Sequence, residues 1–161
     1  MLPSIRTVAS CLAVLALLVL APPPTHAQTA KVFTVDDTGD DPDVDDGDGT
    51  CATAGGVCTL RAAIQQANAS TNTDGPDRIE FDLNTSQVIN PSSPLPEITD
   101  PVVIDGTTAS AGSLPRLRLD GCASCGDGLV ISAGDSEVRG LQIVRFAGHG
   151  IVLTGGGNNV V

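Results

Sequence analysis

The side chains with the most chemical potential in this chain are acidic. Residues 36–48 (DDTGDDPDVDDGD) hold eight Asp in thirteen positions. That density repels itself at neutral pH, so the segment reads as a solvated loop or as a site that a cation neutralises. Calcium takes several carboxylate oxygens on a flexible turn, and Asp41-x-Asp43-x-Asp45 sets acids at alternate positions as calcium loops do, with Asp46 and Asp48 completing the candidate ligand set. The match is partial. Counted from Asp41, the sixth position holds Asp46 where an EF-hand has Gly, and the twelfth holds Ala52 where it has a bidentate Glu. Calcium is the one cofactor suggested, with a plain acidic loop as the alternative.

A second set of carboxylates lies further on. Asp105, Asp120 and Asp127 each precede a Gly. Glycoside hydrolysis needs two carboxylates that converge on one bond, and these three qualify only by type, because Asp before Gly is also what a turn selects. Lyase chemistry on an acidic sugar needs a strong base near calcium. Arg116, Arg118, Arg139 and Arg145 supply guanidinium groups, but none stands in an acid-rich constellation, and His149 reads as a turn residue. No residue is assigned a catalytic role.

Charge and composition narrow the partners. Eight Lys and Arg against nineteen Asp and Glu give a net charge of -11, without the basic footprint that nucleic acid requires. There is no Trp and no Tyr, and only three Phe, so aromatic platforms for bases or sugar rings are lacking. Extracellular polysaccharide or cell-surface components remain as expected partners, although so acidic a chain would repel a polyanion unless calcium intervened.

The expected location is outside the cytoplasm. Residues 11–21 are an uncharged apolar run behind Arg6, followed by Pro22 to Pro24 and by small residues at Thr25 and Ala27, which predicts a signal peptide over residues 1–27 cleaved after Ala27. The apolar run of eleven is too short for a transmembrane span. Four cysteines follow the leader: Cys51, Cys58, Cys122 and Cys125. In an oxidising compartment an even count predicts two disulfides. Three connectivities are open, and the local pairing of 51 with 58 and 122 with 125 is favoured by proximity. The ligand spacing is too irregular for zinc, and no thioredoxin-like alternation of strand and helix surrounds Cys122-Ala-Ser-Cys125.

The elements that position these groups are mostly strands. An N-terminal segment, residues 28–58, starts with a strand over 32–35 and carries the acidic loop and first two cysteines. Residues 59–69 (TLRAAIQQANA) give the one strong helix signal, with Thr59 as N-cap and Leu60, Ile64 and Ala67 on one face. So short a helix needs a larger body to cap. Residues 78–82, 102–105 and 117–120 read as short strands. Residues 127–139 then align with 149–161 at an offset of 22, with seven of thirteen positions identical or conservatively replaced. A period of this length signals a solenoid, and 22 residues suit one turn of three short strands and three bends. The predicted fold is all-β: a right-handed parallel β-helix over residues 77–161 behind a capping helix. Leu129, Ile131, Val138, Leu141, Ile143, Phe146, Ile151, Leu153 and Val160 are the expected core, each stacked on its counterpart one turn away. The chain stops at Val161 within a turn, so a longer parent protein is expected.

Residues 48–51 (DGTC) and 58–68 (CTLRAAIQQAN) resemble the bacterial CSLREA domain, as do 94–100 (PLPEITD), 103–108 (VIDGTT) and 138–141 (VRGL). The likeness covers most of residues 32–161. Thr59 stands where the family has Ser, and Ala62 where Glu is usual. The resemblance implies secreted or surface-displayed proteins whose helix precedes a pectin-lyase-like coil, mostly without assigned chemistry. The expected function is a non-catalytic scaffold or adhesin-like module. The alternative is a calcium-dependent polysaccharide lyase or glycoside hydrolase with its site mostly beyond residue 161.

Overall fold

A computed structural model describes residues 30–83, 87–109 and 117–161. Nine short strands and one helix follow in the order β1 (Val32–Val35), α1 (Leu60–Ala69), β2 (Asp77–Phe81), β3 (Val88–Ile89), β4 (Val102–Asp105), β5 (Leu117–Asp120), β6 (Leu129–Ile131), β7 (Glu137–Arg139), β8 (Leu141–Val144) and β9 (Ile151–Leu153). They form three sheets, β1-β2-β4-β7, β3-β5-β8 and β6-β9, in which every pairing is parallel. The protein is thus mostly parallel strand with little helix. Parallel neighbours need long connections, which are usually helical. Here the path from β4 to β7 instead runs through β5 and β6, one strand in each of the other two sheets.

Alternation along each strand produces columns of apolar side chains across the sheets. In the first sheet Phe33, Ile79, Ile104 and Val138 are successive register partners, and all four are buried. Ile89, Leu119 and Ile143 are successive partners in the second, the first two buried and Ile143 partly so. In the third, Leu129 faces Ile151 and Ile131 faces Leu153, while Ile98 bridges to Ile131 from the other side. The helix lies against β1 and β2. Thr59 caps it by accepting a hydrogen bond from the Ala62 N–H, and Leu60, Ala63, Ile64 and Ala67 join the common core. The strand predicted at the N-terminus is therefore an edge of the same sheet as the later turns.

Two expected core positions need correction. The offset of 22 holds at the bend, where Asp127 meets His149, and across β6 and β9. One bend later it has become 23, as Asp135 meets Asn158 and Ser136 meets Asn159. The bend before Val160 holds one residue more than the bend before Glu137, so Val160 pairs with Glu137 instead of Val138. A slip of one residue turns a side chain to the opposite face. Val160 accordingly points outward and is 58% exposed, while Val161 shares a shallow depression with Val138 and Ile151. Leu153 keeps its column over Ile131 but is 48% exposed, because no described residue covers it. Leu129, Ile131 and Val138 are buried as expected, and Leu141, Ile143, Phe146 and Ile151 are partly buried against the core. Nor is 22 the spacing throughout: Ser132 reaches back 34 places to Ile98.

Candidate functional site

The acidic loop is held by the helix. Gln66 is fully buried, on a side of the helix away from Leu60 and Ile64. Its Oε1 accepts from the N–H groups of Gly47 and Gly49, and its Nε2 donates to the Asp45 carbonyl and to the carboxylates of Asp43 and Asp48. One buried amide thereby organises a loop that would otherwise present unpaired backbone groups. Asp43 also accepts from the Asp45 and Ala52 N–H groups, and Asp48 from Thr50. Gln65 Nε2 donates to Asp46, and Thr59 Oγ donates to the Asp41 carbonyl. The five expected calcium ligands are therefore spread along a hydrogen-bonded loop. Among the described residues, no group of three or more His, Cys, Asp or Glu converges as a metal site would require.

Arg61 fastens this loop to the next segment. Its guanidinium pairs with Asp40 at 2.9 Å and also donates to the Ser93 and Pro94 carbonyls. Asp40 in turn accepts from the N–H and hydroxyl of Ser92. Both disulfides adjoin this assembly. Cys51–Cys58 closes the acidic segment immediately before the helix, and Cys122–Cys125 sits against the carbonyls of Ser92 and Pro91. The local pairing is the one present. Arg61 and Gln66 were visible within the helical run, but nothing local to them marks their partners, which lie 17 to 33 residues away.

The three Asp-Gly carboxylates are also taken. Asp105 is register partner of Arg139 and accepts from its guanidinium, from Arg78 and from the Thr107 N–H and hydroxyl. The Arg139 hydrogen bond outweighs the desolvation that opposes it and holds the Asp105 carboxyl well below the usual carboxylate range. The following Gly106 is needed because the next turn passes so close: a Cβ there would lie 2.6 Å from the Gly140 carbonyl oxygen. Asp120 repeats the arrangement one sheet further, gripped at both oxygens by Arg145 and paired with Arg118 at 3.1 Å. Its carboxyl is lowered chiefly by the Arg145 hydrogen bond. Asp127 accepts from the backbone N–H of His149, which contributes most to its lowering, and from the His149 ring. Each acid is thus ionised and tied to the turn above it. None is poised to donate a proton as a general acid must. Arg116 lies outside the described residues, as do the expected leader and its cleavage point.

Among the described residues no helix is long and apolar enough to cross a membrane. Among the described residues the last turn carries depressions open to solvent, around residues 153–159, 143–150 and 138–161. No family model, no curated protein and no solved structure matches this chain.

Proposed function

We propose that the chain is a non-catalytic, exported scaffold or surface-displayed, adhesin-like module of the CSLREA type, wound as a right-handed parallel β-helix behind its capping helix. The observation that carries the functional reading is the occupation of every candidate acid: Asp105, Asp120 and Asp127 each neutralise or orient a group in the following turn. Carboxylates committed in this way join turns together, and these three are not free to act as a hydrolytic pair. The winding is supported by the order in which strands enter the three parallel sheets. β4, β5 and β6 take them in one sequence, and β7, β8 and β9 repeat it. Two disulfides suit an oxidising compartment.

The test is enzymatic and topological together. The exported protein, incubated with polygalacturonate and with neutral polysaccharides in the presence of Ca²⁺, is expected to produce neither ultraviolet absorbance nor new reducing ends. Mass spectrometry of the secreted material is expected to begin at Gln28. Turnover abolished by Asp105→Asn or Asp120→Asn would replace the scaffold with an enzyme.

A further inference from the structure

The best-buried acid in the molecule is one that the scaffold does not use. Asp77 opens β2 and alternates with Ile79 and Phe81, so its side chain lies on the inward face of the strand, 1% exposed. Its Oδ1 accepts the Lys31 N–H at 2.6 Å, but its Oδ2 has no partner. Asp77 is register partner of Val102, and two residues before Val102 stands Asp100, whose Oδ2 is likewise buried and unpartnered. A third orphan, the Ser70 hydroxyl, belongs to the segment that leaves the helix. That segment is pinned along residues 97–101 on both sides of Ser70: Asn68 bonds the Glu97 carbonyl and the Thr99 N–H, and Asn72 bonds the Pro101 carbonyl and the Asp77 N–H. Three unpartnered oxygens, two of them carboxylate, therefore belong to two segments that hydrogen bonds and strand pairing hold side by side, residues 70–77 and 99–102.

Nearby cations are directed elsewhere. The Lys31 ammonium lies over Gly49 in the acidic loop, close enough that a Cβ at Gly49 would sit 2.9 Å from it. Arg78 is committed to Glu80 and Asp105. Burial, with the Asp77 charge adding to it, pushes the Asp100 carboxyl up, the expected response of a desolvated acid beside a like charge. A buried carboxylate beside a half-buried one, without a counter-charge, is costly, and the deficit is met by metal coordination or by a proton. The donor set consists of oxygen alone, which favours a hard cation over zinc or copper.

We propose that Asp77, Asp100 and Ser70 form the protein part of a Ca²⁺ site at this corner, completed by water, and distinct from the 36–48 loop. It stands independently of the scaffold reading.

The test compares thermal unfolding of the processed protein, followed by circular dichroism near neutral pH, in about 10 mM Ca²⁺ and in chelator. A weak extracellular-type site raises the melting temperature by roughly 5 °C under these conditions. Asp100→Asn is expected to abolish that rise, and Asp46→Asn, in the acidic loop, to leave it intact. No rise in the unaltered protein, or a rise lost with Asp46→Asn and kept with Asp100→Asn, would overturn the site. If Asp100→Asn does not fold, Asp100→Glu keeps the charge and displaces it. The Ca²⁺ midpoint is then expected to move to higher concentration, and an unmoved midpoint counts against the proposal.

Discussion

The helix-covered region up to residue 109 and the last strands from residue 141 onward use the same parallel ladder with opposite results. In the first, Val35, Ile64, Ile79 and Ile104 are at most 1% exposed, since α1 and the neighbouring strands close over them. In the second, Leu141, Ile143, Phe146 and Ile151 are only partly covered, and Leu153 is half-exposed although it continues the column of Ile98 and Ile131. The chain also fastens the two differently. Around the helix, side chains of Arg61, Gln66 and Asp40 bond to backbone groups many residues away. In the later turns, charge pairs between neighbouring turns take over, as at Arg139–Asp105 and Arg145–Asp120. A place in a parallel ladder thus fixes direction and register, whereas burial depends on the layer above.

The largest expected effect contrasts the two columns. Ile79→Ala removes a fully buried side chain from the centre of the first sheet and is expected to cost about 2–5 kcal/mol. Leu153→Ala, at the same kind of ladder position, is expected to cost less than about 1 kcal/mol because its side chain already meets water. Denaturant unfolding followed by circular dichroism measures both, and equal losses would erase the contrast. Next come the disulfides. Replacing Cys51 and Cys58 together by Ser opens the longer ring, with a sequence separation of 7, and is expected to cost about 2.5 kcal/mol on loop-closure entropy. The same change at Cys122 and Cys125, with a separation of 3, is expected to cost about 2 kcal/mol. Comparing the chemical stability of the two double variants gives the order, and a reversal would place the tighter fastening in the later turns.

The smallest effect is set by pH. Asp105, Asp120 and Asp127 have carboxyls lowered in the folded state. Their stabilisation is therefore complete above the unfolded value of about 3.9 and is lost as pH falls through the folded values. Acid is expected to loosen residues 117–161 before the helix, seen as faster amide exchange there below about pH 4. Asp105→Asn should flatten the acid limb of the stability curve. Uniform loosening would show that these pairs do not distinguish the regions.

Much of this could be read from sequence where the signal was local. The helix followed from Leu60, Ile64 and Ala67 at helical spacing behind Thr59, and the disulfides from four cysteines close in pairs. The pairing of Leu129 with Ile151 followed from repeated residue types. Val160 was misplaced because one added residue in the preceding bend shifts the face without disturbing the similarity that aligned it. The acids of residues 36–48 have backbone N–H groups and Gln66 as partners, which composition does not display. Gln66 is out of phase with Leu60, Ile64 and Ala67, so its burial under the acidic loop was not legible, whereas Asp77 did carry a signal, being in phase with Ile79 and Phe81. The roles of Arg139 and Arg145 required the register first, since each meets an acid 34 or 25 residues back.

The register itself is the central claim, and a cross-link tests it most directly. Val130 and Val152 are opposed in neighbouring parallel strands, which stand about 4.8 Å apart, within reach of a disulfide. Val130→Cys combined with Val152→Cys is expected to form a link between those two positions on mild oxidation, identified by peptide mapping with both native disulfides intact. Val130→Cys combined with Leu153→Cys, which places the thiols on opposite faces, is expected not to link. A bond in the second pair and none in the first would contradict the stacked arrangement.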